Sequence, residues 1–307
     1  MWSVCLFLLL SQTLASEGGF ESWSKPIEAL IASGNLVSAR EQLARQTAAR
    51  REAPTGLYLE ARILFAEKRY AEVLKVVQQS IVKAPSDAEL YKLAALSAIR
   101  LERLDVAAPA LETAKRLAPN DYLVRFHLGA LYYAKSLFLK ARPELKKAAE
   151  LNPAYMPALL FLGLTLEEVG DEKSTIETYR KAIVLAGEGN EIPYVYLGRY
   201  CYRLNRFDDA LPVLQRAVQL NPRSGDAWLQ LGKTLTALKR NTDAIAALGS
   251  SATADSQNSE PHYLLFRIFQ AEGREQAAQE ELKHFQQLKP KAAEEPGRRR
   301  LQGAVAQ

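Results

Sequence analysis

Few residues in this chain are of a type and spacing that could do chemistry. Adjacent carboxylates occur at Glu167-Glu168 and Asp208-Asp209, and the chain has three histidines, His127, His262 and His284, and two cysteines, Cys5 and Cys201. Paired carboxylates perform general acid and base work when a fold holds them at a fixed separation across a cleft. Neighbouring residues on one helix point in different directions, however, and Asp208 and Asp209 stand where a helix opens, a place where the macrodipole stabilises carboxylates. Each histidine lies in a separate segment with no histidine or carboxylate four residues on, so an HExxH-like metal site is excluded. Cys201 falls on a helix face facing the core, with no histidine near it in sequence, and reads as a packed thiol rather than a nucleophile. Neither GxxxxGK[ST] nor GxGxxG occurs. The expectation is no catalytic residue, no cofactor and no metal.

The elements that hold these residues are set out by one stretch, residues 122–155, YLVRFHLGALYYAKSLFLKARPELKKAAELNPAY. Leu128, Leu131 and Tyr132 share a face at the helical period. After a short break Phe138, Ala141, Leu145 and Ala148 repeat at three and four, with Lys140, Lys146, Lys147 and Glu150 on the opposite side. Two amphipathic helices are predicted, with Gly129 and Ala141 small where the pair must approach most closely. Pro153 after Asn152 stops the second helix. Pro85, Pro119 and Pro153 are 34 residues apart, whereas Pro153 to Pro222 is 69 and Pro222 to Pro290 is 68. The longer intervals each hold two units, and one residue inserted within Gly187–Asn190 accounts for the odd spacing. Eight units follow, beginning near Phe20, Pro54, Ala88, Tyr122, Met156, Glu191, Gly225 and Ser259.

Leu128-Gly129, Tyr132, Ala141 and Pro153 resemble the tetratricopeptide repeat (TPR), as do Leu162-Gly163 with Ala182, Leu197-Gly198 with Ala210 and Ala217, and Trp228 with Leu231-Gly232 and Ala244. The resemblance covers about Phe20 to Pro290 and implies an all-α fold, a right-handed superhelical α-solenoid of about eight helix-turn-helix repeats. The end units depart from it, with Ile27 and Phe266 at the eighth position and Gln46 and Phe285 at the twenty-seventh, as capping units should. Pro26 falls where the first unit should already be helical, and Leu59 lies one place early in the second. In the family, positions five, nine, twelve and thirteen of each first helix face a concave groove. Carried onto this sequence, they hold Tyr58, Phe65, Phe126, Tyr133, Tyr202 and Tyr263, and the cations Arg62, Lys92, Arg100, Arg199, Arg203, Lys233 and Arg267, against Glu28, Glu167 and Glu168. The resemblance thus implies a basic, aromatic peptide-binding groove, since tyrosine and arginine concentrate binding energy. The family's carboxylate clamp, Lys at position five with Asn at nine, is not reproduced, because Leu96 follows Lys92.

Residues 1–15 are apolar for most of their length, with Thr13-Leu14-Ala15 before Ser16, and read as a secretory signal peptide that directs export to a periplasm or the exterior. The alternative, an N-terminal membrane anchor, is short of the roughly 20 residues a span needs, and no stable span is expected once the signal is removed. Residues 291–307 read as a flexible tail. With 40 Lys plus Arg against 35 Asp plus Glu spread along the chain, no nucleic-acid stripe is present. The reading is a non-catalytic, exported interaction scaffold that takes an extended peptide or protein, of acidic character, in its groove. The alternative is an accessory subunit of a cell-envelope assembly or polysaccharide-export machine that works through its convex surface.

Overall fold

Positive backbone φ angles recur at a fixed place in each repeat of this molecule. A computed structural model describes residues 22–288, and the expected signal segment and tail lie outside the described residues. Among the described residues every regular element is an α-helix. Contacts divide the chain after Pro153, and the two parts are taken in turn. The first holds α1 (Lys25–Ala32), α2 (Leu36–Ala44), α3 (Ala48–Glu52), α4 (Pro54–Ala66), α5 (Tyr70–Lys83), α6 (Ala88–Arg100), α7 (Leu104–Leu117), α8 (Tyr122–Ala134) and α9 (Phe138–Leu151). The second holds α10 (Met156–Val169), α11 (Glu172–Ala186), α12 (Ile192–Arg203), α13 (Phe207–Leu220), α14 (Gly225–Ala237), α15 (Asn241–Ala254), α16 (Glu260–Ala271) and α17 (Glu275–Leu288).

Within each part, consecutive helices pack as helix-turn-helix pairs, α4 with α5, α6 with α7 and α8 with α9, then α10 with α11 through to α16 with α17. Several first helices start on a side-chain cap. Asp121 accepts from the amides of Leu123 and Val124, and Asp87 from that of Glu89, which satisfies donors a helix start leaves open. The turn inside each pair passes through one left-handed residue: Gly34, Lys68, Glu102 and Ser136 in the first part, Gly170, Asn205, Lys239 and Gly273 in the second. These fall 34 residues apart, except for 35 between Gly170 and Asn205. The extra residue belongs to α11, which has 15 residues where α9 and α13 have 14.

Each pair closes where a small residue of the first helix meets a large one of the second. A Cβ on Gly129 would overlap Leu145, one on Gly198 Leu214, and one on Gly232 Leu248. Gly163 faces Tyr179 in the same way, and Tyr179 is fully buried. The N-terminal pair is shorter, and α1 begins at Lys25 rather than at Phe20. Pro26 therefore sits in the first turn, where its missing N–H costs nothing. Leu59 is buried with Ile27, Ile31 and Ile63, so its early position serves the contact with the capping pair. Three second helices carry an exposed interior proline, Pro109 in α7, Pro143 in α9 and Pro212 in α13.

Candidate binding surface on the first helices

In the first part, Arg62 on α4 donates to Glu28 Oε1 at 3.2 Å and lies 5.7 Å from the Tyr58 ring centroid. Arg62 and Tyr58 are both buried. Burial raises the Glu28 carboxyl above its usual range and outweighs the Arg62 charge that opposes the shift. Lys92 on α6 is also buried, its Nζ 2.7 Å from Glu89 Oε1 and 2.9 Å from Asp121 Oδ2. Burial works against its charge, but the two carboxylates more than compensate and its pKa is raised. Phe126 is buried, Tyr133 is half-buried against Phe138 with ring centroids 5.5 Å apart, and Phe65 packs edge-on to Tyr70. Arg100 is half-buried and forms neither an ion pair nor a hydrogen bond among the described residues.

The second part is organised around a buried carboxylate. Glu167 on α10 accepts a hydrogen bond from the Tyr179 hydroxyl of α11 and one from Arg203 Nη1 of α12 at 2.5 Å, with Arg199 Nη2 at 3.8 Å. Arg199 also lies over the Tyr196 ring, 4.7 Å from its centroid. Burial raises the Glu167 carboxyl, and the hydrogen bond from Tyr179 and the charges of Arg199 and Arg203 only partly oppose it. Burial and then the Glu167 charge push the Tyr179 hydroxyl well above its ordinary value. On α14 Lys233 Nζ lies 2.5 Å from Glu260 Oε1. Tyr202 is half-buried against Phe207, and Tyr263 is exposed, 5.2 Å from Phe285 between ring centroids. Arg267, one turn beyond Tyr263 on α16, is exposed and without an ion pair or hydrogen bond among the described residues.

The expectation of a uniformly basic, aromatic lining is therefore corrected within each part. Tyr58 and Phe126 are core side chains, and Arg62, Lys92, Arg199, Arg203 and Lys233 are engaged by carboxylates of this chain. Stacking similar units brings residues about one repeat apart side by side. Arg62 thus meets Glu28 34 residues earlier, and Arg206 meets Glu172 at the same offset. Opposite charges one repeat apart are a signal that was present in the sequence and was not used. Tyr179, at a register where Leu145 and Leu214 stand in other pairs, is a second such signal.

The paired carboxylates diverge, Glu167 inward and Glu168 to solvent, while Asp208 and Asp209 are both exposed and Asp209 pairs with Arg206. Cys201 is buried, and burial raises its thiol pKa. His262 Nδ1 is 2.7 Å from Glu281 Oε2, and its ring stacks on His284. Among the described residues no group of three or more His, Cys, Asp or Glu side chains is placed to hold a metal ion, and no helix is long and apolar enough to cross a membrane.

The family profile described as the tetratricopeptide repeat matches residues 92–155 and 197–259. The chain carries tetratricopeptide repeats. TPR proteins in general are protein-interaction scaffolds that bind protein or peptide partners, and the fold is typically non-catalytic. The BBSome complex member BBS4 of Bos taurus is 28% identical over 180 residues, 59% of this chain and 34% of its own length. The chain spans about a third or less of the length of the curated relatives it matches. In fold it is similar to the C-terminal part of a TPR repeat-containing protein from Cytophaga hutchinsonii, with a TM-score of 0.61 at 16% identity over 80% of this chain and 98% of that one. The APC/C hetero-tetramer Cut9-Hcn1 gives a TM-score of 0.59 at 18% identity over 81% of this chain and 49% of that one.

Proposed function

We propose that this TPR chain is an exported, non-catalytic scaffold that holds an extended peptide or a partner protein against its first helices. The observation that carries this reading is the pairing, on α16, of an exposed Tyr263 with an exposed Arg267 that has no counter-charge among the described residues. An aromatic ring and a guanidinium one turn apart combine area with a directional polar group, as binding hot spots do. Tyr133 and Arg100 in the first part, and Tyr202 in the second, are the other candidate residues that stay half accessible. An acidic partner suits the unneutralised guanidinium groups. Capture from the source organism's extracts tests the reading: Arg267→Glu and Tyr263→Ala should each lower recovery of the partner, the first more strongly at low salt.

A second reading has its own support. Five of the seven first-helix cations are neutralised internally, while Val82, Leu139 and Val184 stand exposed on second helices. This is the accessory-subunit reading, in which the second-helix face meets an envelope assembly. It takes over if Leu139→Glu abolishes capture and Arg267→Glu does not. Export rests on residues 1–15. Mass spectrometry of the protein from an envelope or secreted fraction should find Ser16 at the amino terminus, and an intact Met1 would overturn it.

A further inference from the structure

Lys92, Arg100, Asp121 and His127 are drawn together in the first part of the molecule, on α6 and at the start of α8. Lys92 is saturated by Glu89 and Asp121. Asp121 is saturated in turn, since its other oxygen accepts from the amides of Leu123 and Val124. His127 is half-buried, edge-on to Phe126 with ring centroids 5.2 Å apart, and makes no hydrogen bond among the described residues. The charged groups that act on it are Lys92 and Arg100 on one side and Asp121 on the other, an excess of one positive charge. Burial first, and then Lys92 and Arg100, lower its pKa to about 4, so the ring is neutral at pH 7. A neutral imidazole keeps one N–H donor, and the Arg100 guanidinium keeps its whole planar fork.

We infer that Arg100 and His127 form a subsite for one carboxylate of the bound partner, an inference that rests on the peptide-binding reading above. A single carboxylate balances the excess charge, accepts from the guanidinium fork and the imidazole N–H together, and removes the reason for the ring to stay neutral. Partner binding and protonation of His127 are then linked: each favours the other.

The experiment uses the full chain with isotope-labelled histidine, the His127 signal being assigned with His127→Gln. The probes are acetyl-Asp-Leu-Asp-Leu-Asp-amide and its Asn counterpart. In the free chain His127 titrates near 4. Saturation with the Asp peptide should raise that midpoint towards 6 and, by linkage, tighten binding about tenfold from pH 7 to pH 5, while the Asn peptide leaves it in place. Arg100→Gln should abolish both effects with an unchanged melting temperature, and Arg100→Lys, which keeps the charge but not the fork, should retain part of them. The inference is overturned if the Asp peptide binds without moving His127, if its affinity is equal at the two pH values, or if Arg100→Gln changes neither. Equal affinity for the Asn peptide removes the subsite and leaves the scaffold reading standing. Failure to bind either peptide also removes it, and leaves that reading to its own capture experiment.

Discussion

Lys92 and Glu167 pose the same problem with opposite signs. In the first part a buried cation is held by two carboxylates; in the second a buried carboxylate is held by two guanidinium groups and a phenol. Their pKa shifts show different winners. Lys92 is raised, so its charged form is favoured over the cost of burial, whereas Glu167 is also raised, which for a carboxyl means that burial wins. The partners explain the difference. Glu89 and Asp121 have side chains only 18% and 20% exposed, whereas Arg199 and Arg203 are 30% and 51% exposed, so water screens the attraction on the Glu167 side. Two contacts under 3 Å hold Lys92, but Arg199 stands 3.8 Å from Glu167. Close partners sheltered from solvent sustain a buried charge better than exposed ones.

The largest expected effect removes the framework of the Glu167 group. Gly163→Ala drives a methyl into the Tyr179 ring and should displace its hydroxyl from Glu167, an overpacking cost plus an unpaired buried phenol, about 3 kcal/mol or more. Gly129→Ala meets only the aliphatic Leu145 and should cost about 1 to 2 kcal/mol. Urea denaturation of the two variants reads the difference, and equal losses would mean that the Tyr179 hydrogen bond contributes nothing. Next come the charges themselves. Lys92→Met leaves two carboxylates facing each other and should cost about 2 to 3 kcal/mol. Glu167→Gln keeps an acceptor for Tyr179 and frees arginines that can turn to water, so a loss near 1 kcal/mol is expected. The reverse order would overturn the screening argument.

Acid separates the two parts further. The folded pKa of His127 lies below its unfolded value, so its contribution to stability is complete above pH 6.5 and is lost as pH falls to about 4. Glu167 runs the other way. Its folded pKa is raised, so the unfolded chain gives up the proton first, and the group's contribution declines as pH rises from 4.5 through the raised value. Stability measured against pH should therefore lose an acid-side decline in His127→Gln and become steeper there in Glu167→Gln. The smallest effect tests the frame common to both parts. Lys68→Gly and Glu102→Gly relieve a side chain at positive φ and should each raise stability by about 0.5 to 1 kcal/mol in thermal melts, and a loss would mean that these are not the turn residues.

The helical frame was legible because its causes are local and repeat. Proline spacing, Gly-Leu pairs and alternating faces each act within a few residues, and the helix pairs follow them. The surface was not legible in the same way. Burial at Tyr58, Lys92 and Phe126 depends on the adjoining repeat, and so does neutralisation of Arg62 and Arg203. Family register says which way a side chain leaves the helix, but not whether a carboxylate one repeat away is waiting for it. His127 shows this most plainly: its sequence neighbours carry no sign of Lys92 and Arg100, which lie on another helix.

The three exposed prolines give the second helices an uneven mechanical character. Pro109, Pro143 and Pro212 offer no amide, so the carbonyl oxygens of Asp105, Leu139 and Asp208, four residues earlier, have no helical donor and turn to water. Each of these helices is slack along its outer edge in its opening turns and fully bonded beyond them. Amide exchange should run faster through the opening turns of α7, α9 and α13 than through those of α5 and α15, which have no interior proline. Repeats built in this way can yield at one edge of a helix while the packed Ala and Leu residues on the other hold their places, like a strip scored on one side so that it flexes without tearing.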